Sequence, residues 1–158
     1  MTKNTNLAIT ITKVFYTYPD VPVKIENYLN RFHKKIFYDN SKTLWNEITF
    51  TSGSASFEEK PKTTDAGIIF EQKLKFTVPG EDDTNTAFFD QLLRPTLVKV
   101  LFNKGLYPKL IGCAETPARF ERVLKTSAKD SGSECQFTCQ ALDPAAWIYD
   151  EVVHVPDA

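Results

Sequence analysis

The sequence predicts a mainly β protein, an antiparallel β-sandwich or barrel of about seven to nine strands flanked by one α-helix. Apolar and polar residues alternate in several short stretches, which is the pattern of half-buried strands. Aromatic residues make up 13% of the chain, and such side chains are enriched in strands. Only one stretch has a helical period, which disfavours a parallel sheet because each parallel pair needs a crossover, usually a helix.

The early elements are three strands. Leu7, Ile9 and Ile11 share one face and predict the first strand. After a loop or short strand, a second strand is expected over residues 32–38. A third is expected over residues 44–50, where Leu, Asn, Ile and Phe alternate with polar residues and one Trp. These strands begin a single β-rich domain, which we expect to span the whole chain, residues 1–158.

A long polar segment follows at residues 51–66. Its side chains are small, polar or charged around the lone Phe57, and it is longer than the usual connection within a compact domain. We interpret it as a long polar loop or as a hairpin arm.

The clearest strand lies between Ile68 and Val78. Apolar residues occupy the even positions and polar residues the odd ones, with Gln72 and Ile69 as the exceptions. A turn then leads to a helix of about three turns, which Asp83 or Thr84 can cap.

Two hairpins and a docked tail complete the chain. Pro95 ends the helix, and residues 96–113 predict a hairpin with Gly105 in its loop. Pro108 lies within the return segment and indicates a sheet edge or a bulge. Residues 118–142 predict a second hairpin, and the apolar tail that begins at residue 143 should pack on another element.

Composition limits the partners. The net charge is -1 and the basic residues are scattered, so the chain lacks the basic stripe of a nucleic-acid-binding protein, and we expect no sequence-specific nucleic-acid partner. No stretch approaches the about 20 apolar residues of a membrane helix, and no signal peptide is evident, so we expect synthesis in the cytoplasm and no membrane partner. Three cysteines cannot all pair with one another, which indicates reducing conditions.

No reactive motif stands out. His33 and His154 lack ligand spacing, and Cys135 with Cys139 fits core packing better than a zinc site. Residues 80–85 are acidic but lack the pattern of a calcium loop. We therefore predict no catalytic residue, no metal and no cofactor, and a protein that is not an enzyme. The alternative is a monomeric binding module, for example for carbohydrate, that uses exposed tyrosines, for which the candidates are Tyr16, Tyr18 and Tyr38.

The order of elements resembles that of small structural proteins of tailed bacteriophages, those of the tail tube, the tail terminator or the neck (connector) ring. The matching stretches are TSGSASFEEKPKTTDAG, LKFTVPGEDDTNTAFFDQLLR, LVKVLFNKG, LIGCAETPARFERV and ECQFTCQA. The resemblance implies a virion protein without catalytic residues. It also implies partners, namely copies of the same chain in a hexameric ring and neighbouring virion proteins.

If the resemblance holds, the polar segment around Phe57 and the strand with Pro108 should contact adjacent subunits. In the competing interpretation, residues 51–66 form a solvated loop without a partner. The residues predicted at a subunit interface are Ser54, Phe57, Glu58, Lys60, Lys62 and Pro108.

Overall fold

A computed structural model gives the fold. It describes residues 10–19, 24–28, 30–37, 44–79, 89–103, 108–113, 116–126, 131–142 and 144–149. The predicted acidic turn at 80–85, and with it the candidate caps Asp83 and Thr84, lies outside the described residues, as do Gly105, Tyr38 and His154.

The described part of the chain contains eleven strands in two sheets. One sheet has seven strands in the order β2-β3-β11-β8-β7-β1-β4, and the other has four in the order β5-β6-β10-β9. The strands are β1 (Ile11–Thr17), β2 (Lys24–Tyr28), β3 (Asn30–Phe37), β4 (Asn46–Ile48), β5 (Ser56–Thr64), β6 (Gly67–Pro79), β7 (Leu97–Phe102), β8 (Lys109–Ile111), β9 (Arg119–Thr126), β10 (Ser131–Ala141) and β11 (Ala146–Tyr149).

The predicted mainly β sandwich is confirmed. Among the described strands, all pairings are antiparallel except that of β11 with β3, which is parallel. The strands outnumber the prediction because β2 and β11 are additional, and with five and four residues they are too short for a visible alternation. The predicted docking of the apolar tail is seen in β11, which pairs with both β3 and β8.

A β-bulge in β1 changes which residues of the strand face the core. The register with β7 shifts between Ile11 and Lys13, so the odd-numbered Ile11 and the even-numbered Val14 and Tyr16 all pack into one core. The sequence alternation alone placed only the odd positions of this strand inward.

In β6 the predicted alternation holds from Leu74 to Val78, whereas Ile68, expected on the same apolar face, is 58% exposed because it lies beyond the pairing with β10. Leu74, Phe76 and Val78 are buried, and the exception Gln72 is buried with them. β10 lies beside β6 along ten residue pairs, so the inner face of one strand continues the inner face of the other.

The two sheets share one apolar interior. Phe76, Phe137 and Phe120 form its aromatic centre, with ring centroids 5.9 Å and 5.1 Å apart along this series. Val14 and Val98 of the seven-stranded sheet belong to the same cluster. Because one cluster draws on both sheets, neither sheet can keep its inner face dry without the other.

Residues 89–92 are helical and cover one side of this interior. The part of the predicted helix before residue 89 lies outside the described residues, and residues 93–94 form a turn and a bend. Phe89 stacks on Phe120 of β9 with centroids 5.8 Å apart. On the opposite side, the Tyr16 hydroxyl of β1 donates to Oε1 of Gln91 at 3.2 Å. The helical segment therefore bridges the two sheets. No helix among the described residues is long and apolar enough to cross a membrane.

The chain passes between the sheets at a tight corner. Just before β7 and β9, Ala118 N donates to Thr96 O at 2.8 Å and Thr96 N donates to Ala118 O at 3.4 Å. Gly112 has a φ of +90°, and a Cβ there would lie 2.8 Å from Ala118 N. Only glycine fits this position without moving backbone.

The opposite face of the seven-stranded sheet holds a second apolar cluster around Lys99. This lysine is 6% exposed, and its Nζ lies 4.9 Å from the ring centroid of Phe15 and 4.7 Å from that of Trp45. Cation–π attraction of this kind is strongest where water is excluded. The buried members of the cluster are Ile36, Leu97, Leu110 and Ala146.

We predict that Phe137→Ala lowers the free energy of unfolding by about 3–5 kcal/mol, because it leaves a cavity at the centre of the aromatic cluster. Leu142→Ala is the control, since Leu142 is 74% exposed and its loss should change stability by no more than about 0.5 kcal/mol. Urea titration followed by tryptophan fluorescence measures both. Equal effects of the two substitutions would contradict a core shared by both sheets.

Candidate functional site

The four-stranded sheet carries a projecting hairpin. β5 and β6 pair from Ser56 to Gly67, whereas β10 reaches along β6 only as far as Phe70. Residues 61–69, which we call the arm tip, therefore begin opposite Phe70, where the pairing with β10 ends, and project beyond it. Of the two interpretations of residues 51–66, the structure has the hairpin arm, with residues 51–55 forming the turn that precedes it.

The outer face of the arm is a charged ladder. Glu58 lies opposite Lys73, and Lys60 opposite Glu71, so each cross-strand pair combines opposite charges. Nζ of Lys62 lies 3.4 Å, and Nζ of Lys60 4.0 Å, from a Glu71 carboxylate oxygen. Exposed pairs of this kind contribute little stability. They keep the arm polar on the side that faces away from the core.

A polar groove of about 610 Å³ runs beside this ladder. It lies where β9 begins and the chain turns away towards the seven-stranded sheet. Among the described residues its lining is polar or charged apart from Pro117 and Cys139, and it includes no aromatic residue. The lining residues are Glu58, Lys60, Glu71, Gln72, Lys73, Thr116, Pro117, Arg119, Gln136, Thr138, Cys139 and Gln140.

The inner face of the arm is fixed to the body of the protein. Phe57 is half-buried against the shared core, and Nζ of Lys109 lies 5.8 Å from the centroid of its ring. The Glu59 carboxylate accepts a hydrogen bond of 2.6 Å from the backbone N of Ala145. Ala145 directly precedes β11 in the other sheet, so Glu59 joins the arm to the seven-stranded sheet.

The predicted interface residues separate into three groups. Glu58, Lys60 and Lys62 are exposed on the outer face of β5. Ser54 has an internal role, because its Oγ donates to Thr51 O at 2.6 Å and accepts from the Thr77 N–H at 3.1 Å.

The other two residues are Phe57 and Pro108, and for Pro108 the expected sheet edge is corrected. Phe57 is half-buried against the core of its own chain, because its position in β5 faces inward opposite Leu74. Pro108 lies directly before β8, which pairs with β7 on one side and β11 on the other and so is not an edge strand. A proline is tolerated there because the residue before a strand need not donate to the ladder.

Sequence reasoning missed β9 as an exposed edge. Among the described residues no strand pairs with its outer side, and Val123 and Leu124 are 57% and 38% exposed. The one signal in the sequence is that Val123 shares a face with Arg119 and Glu121. An apolar residue on a polar face fits contact with another molecule, but strand order is needed to show that this face borders an edge.

Other candidate residues are in the interior. Tyr16 is 4% exposed, so it cannot serve a tyrosine platform, and of the described candidates only Tyr18 is exposed. Cys135 and Cys139 are buried as predicted, and burial raises the pKa of these thiols to about 12 and about 11 respectively. Within the described ranges, no group of three or more His, Cys, Asp or Glu converges on a possible metal site.

Comparison with protein families, with curated proteins and with solved structures finds no match for this chain. The function must therefore be inferred from the geometry of the arm, the polar groove and the β9 edge.

We predict that Glu59→Ala lowers the free energy of unfolding by about 1.5–3 kcal/mol, because the Ala145 N–H loses a charged acceptor. It should also raise amide exchange in residues 56–70. Glu58→Ala is the matched control, because the neighbouring carboxylate is exposed on the opposite face of β5. Urea titration and hydrogen exchange measure the two effects. If both substitutions left the arm equally protected, Glu59 would not hold it.

Proposed function

We propose that this protein is a structural subunit that assembles with copies of itself into a ring or tube, of the type found in the tail or neck of tailed bacteriophages. In the virion it would act as a tail tube, terminator or connector component and contact neighbouring virion proteins. Its role would be mechanical, through surfaces that bind copies of the chain, and it would not be an enzyme.

The observation that carries this proposal is the pair of unlike edges on the four-stranded sheet. β5 forms one edge and β9 the other, and in the described part of the chain neither has a strand on its outer side. An exposed edge offers unpaired backbone N–H and C=O groups to another chain. Because the two edges differ, contact between them is head-to-tail, and such contact closes into a ring or continues as a filament.

The directions of β5 and β9 allow them to pair between two copies of the chain. Three antiparallel pairings separate β5 from β9, so the two edge strands run in opposite directions. A copy that continues the sheet therefore places its β5 antiparallel to β9 of its neighbour. Pro61 lacks an amide hydrogen and limits pairing on β5 to the residues on either side of it.

The charged side chains on the outer faces of β5 and β9 also favour pairing between copies. β5 presents Glu58, Lys60 and Lys62, and β9 presents Arg119 and Glu121. Both edges thus carry both signs of charge, so an antiparallel register exists in which Glu121 faces a lysine of the next copy. Such pairs fix register and orientation more than they add affinity. Burial of Val123 supplies the apolar part of the contact.

The alternative, a monomeric module that binds carbohydrate, has one feature in its favour, which is the polar groove. Sugar sites commonly combine hydrogen-bonding groups with an aromatic face, and no aromatic residue from the described part of the chain lines the groove. The assembly proposal is therefore the better supported. A monomeric mass together with a specific hit on a glycan array would favour the alternative.

We predict that the purified protein has a mass of several chains in light scattering and that Val123→Asp reduces it to the mass of one chain. The aspartate would introduce an unpaired charge into the β9 contact, at a site exposed enough for the fold to tolerate it. Leu142→Asp is the control, because Leu142 is also exposed but lies at the end of β10, away from the outer edge of β9.

Electron micrographs should show rings or tubes for the unmodified protein and for the control, and none for Val123→Asp. Equal urea midpoints for the two variants would show that folding is not the cause. A single-chain mass for the unmodified protein at all concentrations would contradict the proposal.

A further inference from the structure

Two cysteines meet at the corner between the sheets, and neither has a part in the proposed assembly. Cys113 follows β8 of the seven-stranded sheet, and Cys139 belongs to β10 of the four-stranded sheet. The carbonyl oxygen of Thr116 accepts from the backbone N of Cys113 at 3.1 Å and from Sγ of Cys139 at 3.2 Å. The Thr116 carbonyl oxygen is thus in contact with both Cys113 and Cys139.

The side chain of Cys113 faces the same threonine. Its Sγ lies 3.1 Å from Oγ1 of Thr116, and the Thr116 N–H donates to that sulfur at 3.4 Å. Both sulfur atoms therefore lie against Thr116, on opposite sides of the junction between the sheets.

We propose that Cys113 and Cys139 are oxidised by a small-molecule disulfide to an intramolecular disulfide. This bond would covalently join the two sheets. The biological occasion, release from a reducing cytoplasm to an oxidising exterior, rests on the proposed function. The chemistry itself depends only on the corner.

The reaction balances by thiol–disulfide exchange. The thiolate of Cys113 attacks one sulfur of an oxidised small-molecule disulfide, forms a mixed disulfide and releases one small-molecule thiolate. Cys139 then loses its proton to water, attacks Sγ of Cys113, and displaces the second small-molecule thiolate. The protein loses two electrons and two protons, and the small-molecule disulfide is reduced to two thiols.

Exposure assigns the order of the two steps. Cys113 is half-buried, whereas Cys139 is 5% exposed. The polar groove is lined by Thr116, whose N–H contacts Sγ of Cys113, and by Cys139, so it opens beside both cysteines. Burial raises the pKa of the Cys139 thiol, so this residue acts second and more slowly.

The third cysteine is an internal control. Cys135 lies on the same face of β10, four residues before Cys139, which is about 13 Å along a strand. A disulfide needs Cα atoms within about 7 Å, so Cys135 cannot pair with Cys139. Replacing it should leave oxidation unchanged.

The test uses the full chain, purified in reductant and transferred to oxidised glutathione. Intact mass should fall by two hydrogen atoms, and digestion without reductant should yield a peptide that joins Cys113 to Cys139. Oxidation should raise the melting temperature by several degrees, because the cross-link restricts the unfolded chain. Cys139→Ser should stop at a glutathione adduct on Cys113, and Cys135→Ser should behave as the unmodified protein.

The same oxidation of Val123→Asp separates this inference from the assembly proposal, because the cross-link lies within one chain. A cross-linked peptide in that variant supports the inference whatever its oligomeric state. The inference is overturned if glutathione stays attached to the unmodified protein, if no mass is lost, or if the cross-link joins two chains or includes Cys135.

Discussion

The structure depends on one constraint, the burial of a single apolar interior between two sheets that cannot be stable separately. Phe76, Phe120 and Phe137 line the inner face of the four-stranded sheet, and Val14 and Val98 meet them from the seven-stranded sheet. Aromatic contacts of this type add to the free energy of burying their area. Because the inner faces are committed to each other, whatever else the molecule does must use its outer faces, its edges and the arm.

Those remaining surfaces are arranged by a few specific contacts. The corner at Thr96, Gly112 and Ala118 fixes where the chain leaves one sheet for the other, and therefore where β9 begins. The hydrogen bond from Ala145 N to Glu59 holds the arm against the second sheet. The arm is thus a two-stranded ribbon with a fixed base and a charged outer face. A fixed base suits the proposed assembly, since ordering a flexible segment at each contact would cost entropy.

The sequence predicted those features that depend on local period. The alternation between Ile68 and Val78 predicted β6, with the correct face inward from Leu74 to Val78, and the second predicted hairpin is β9 and β10. Features that depend on strand order were not predicted. Pro108 suggested an edge, yet β8 is an interior strand, and Phe57 stood alone in a polar segment, yet its partners are distant in sequence.

The proposed assembly requires β9 of one copy to pair with β5 of the next, and hydrogen exchange of the backbone amides measures this pairing directly. Within the described residues of a single chain, the outward amides of β9 have no partner strand, so they should exchange quickly at high dilution. At high concentration we expect slow exchange across residues 119–126 and in residues 56–60, with exchange in the core unchanged. Equally fast exchange of both edges at every concentration would contradict it.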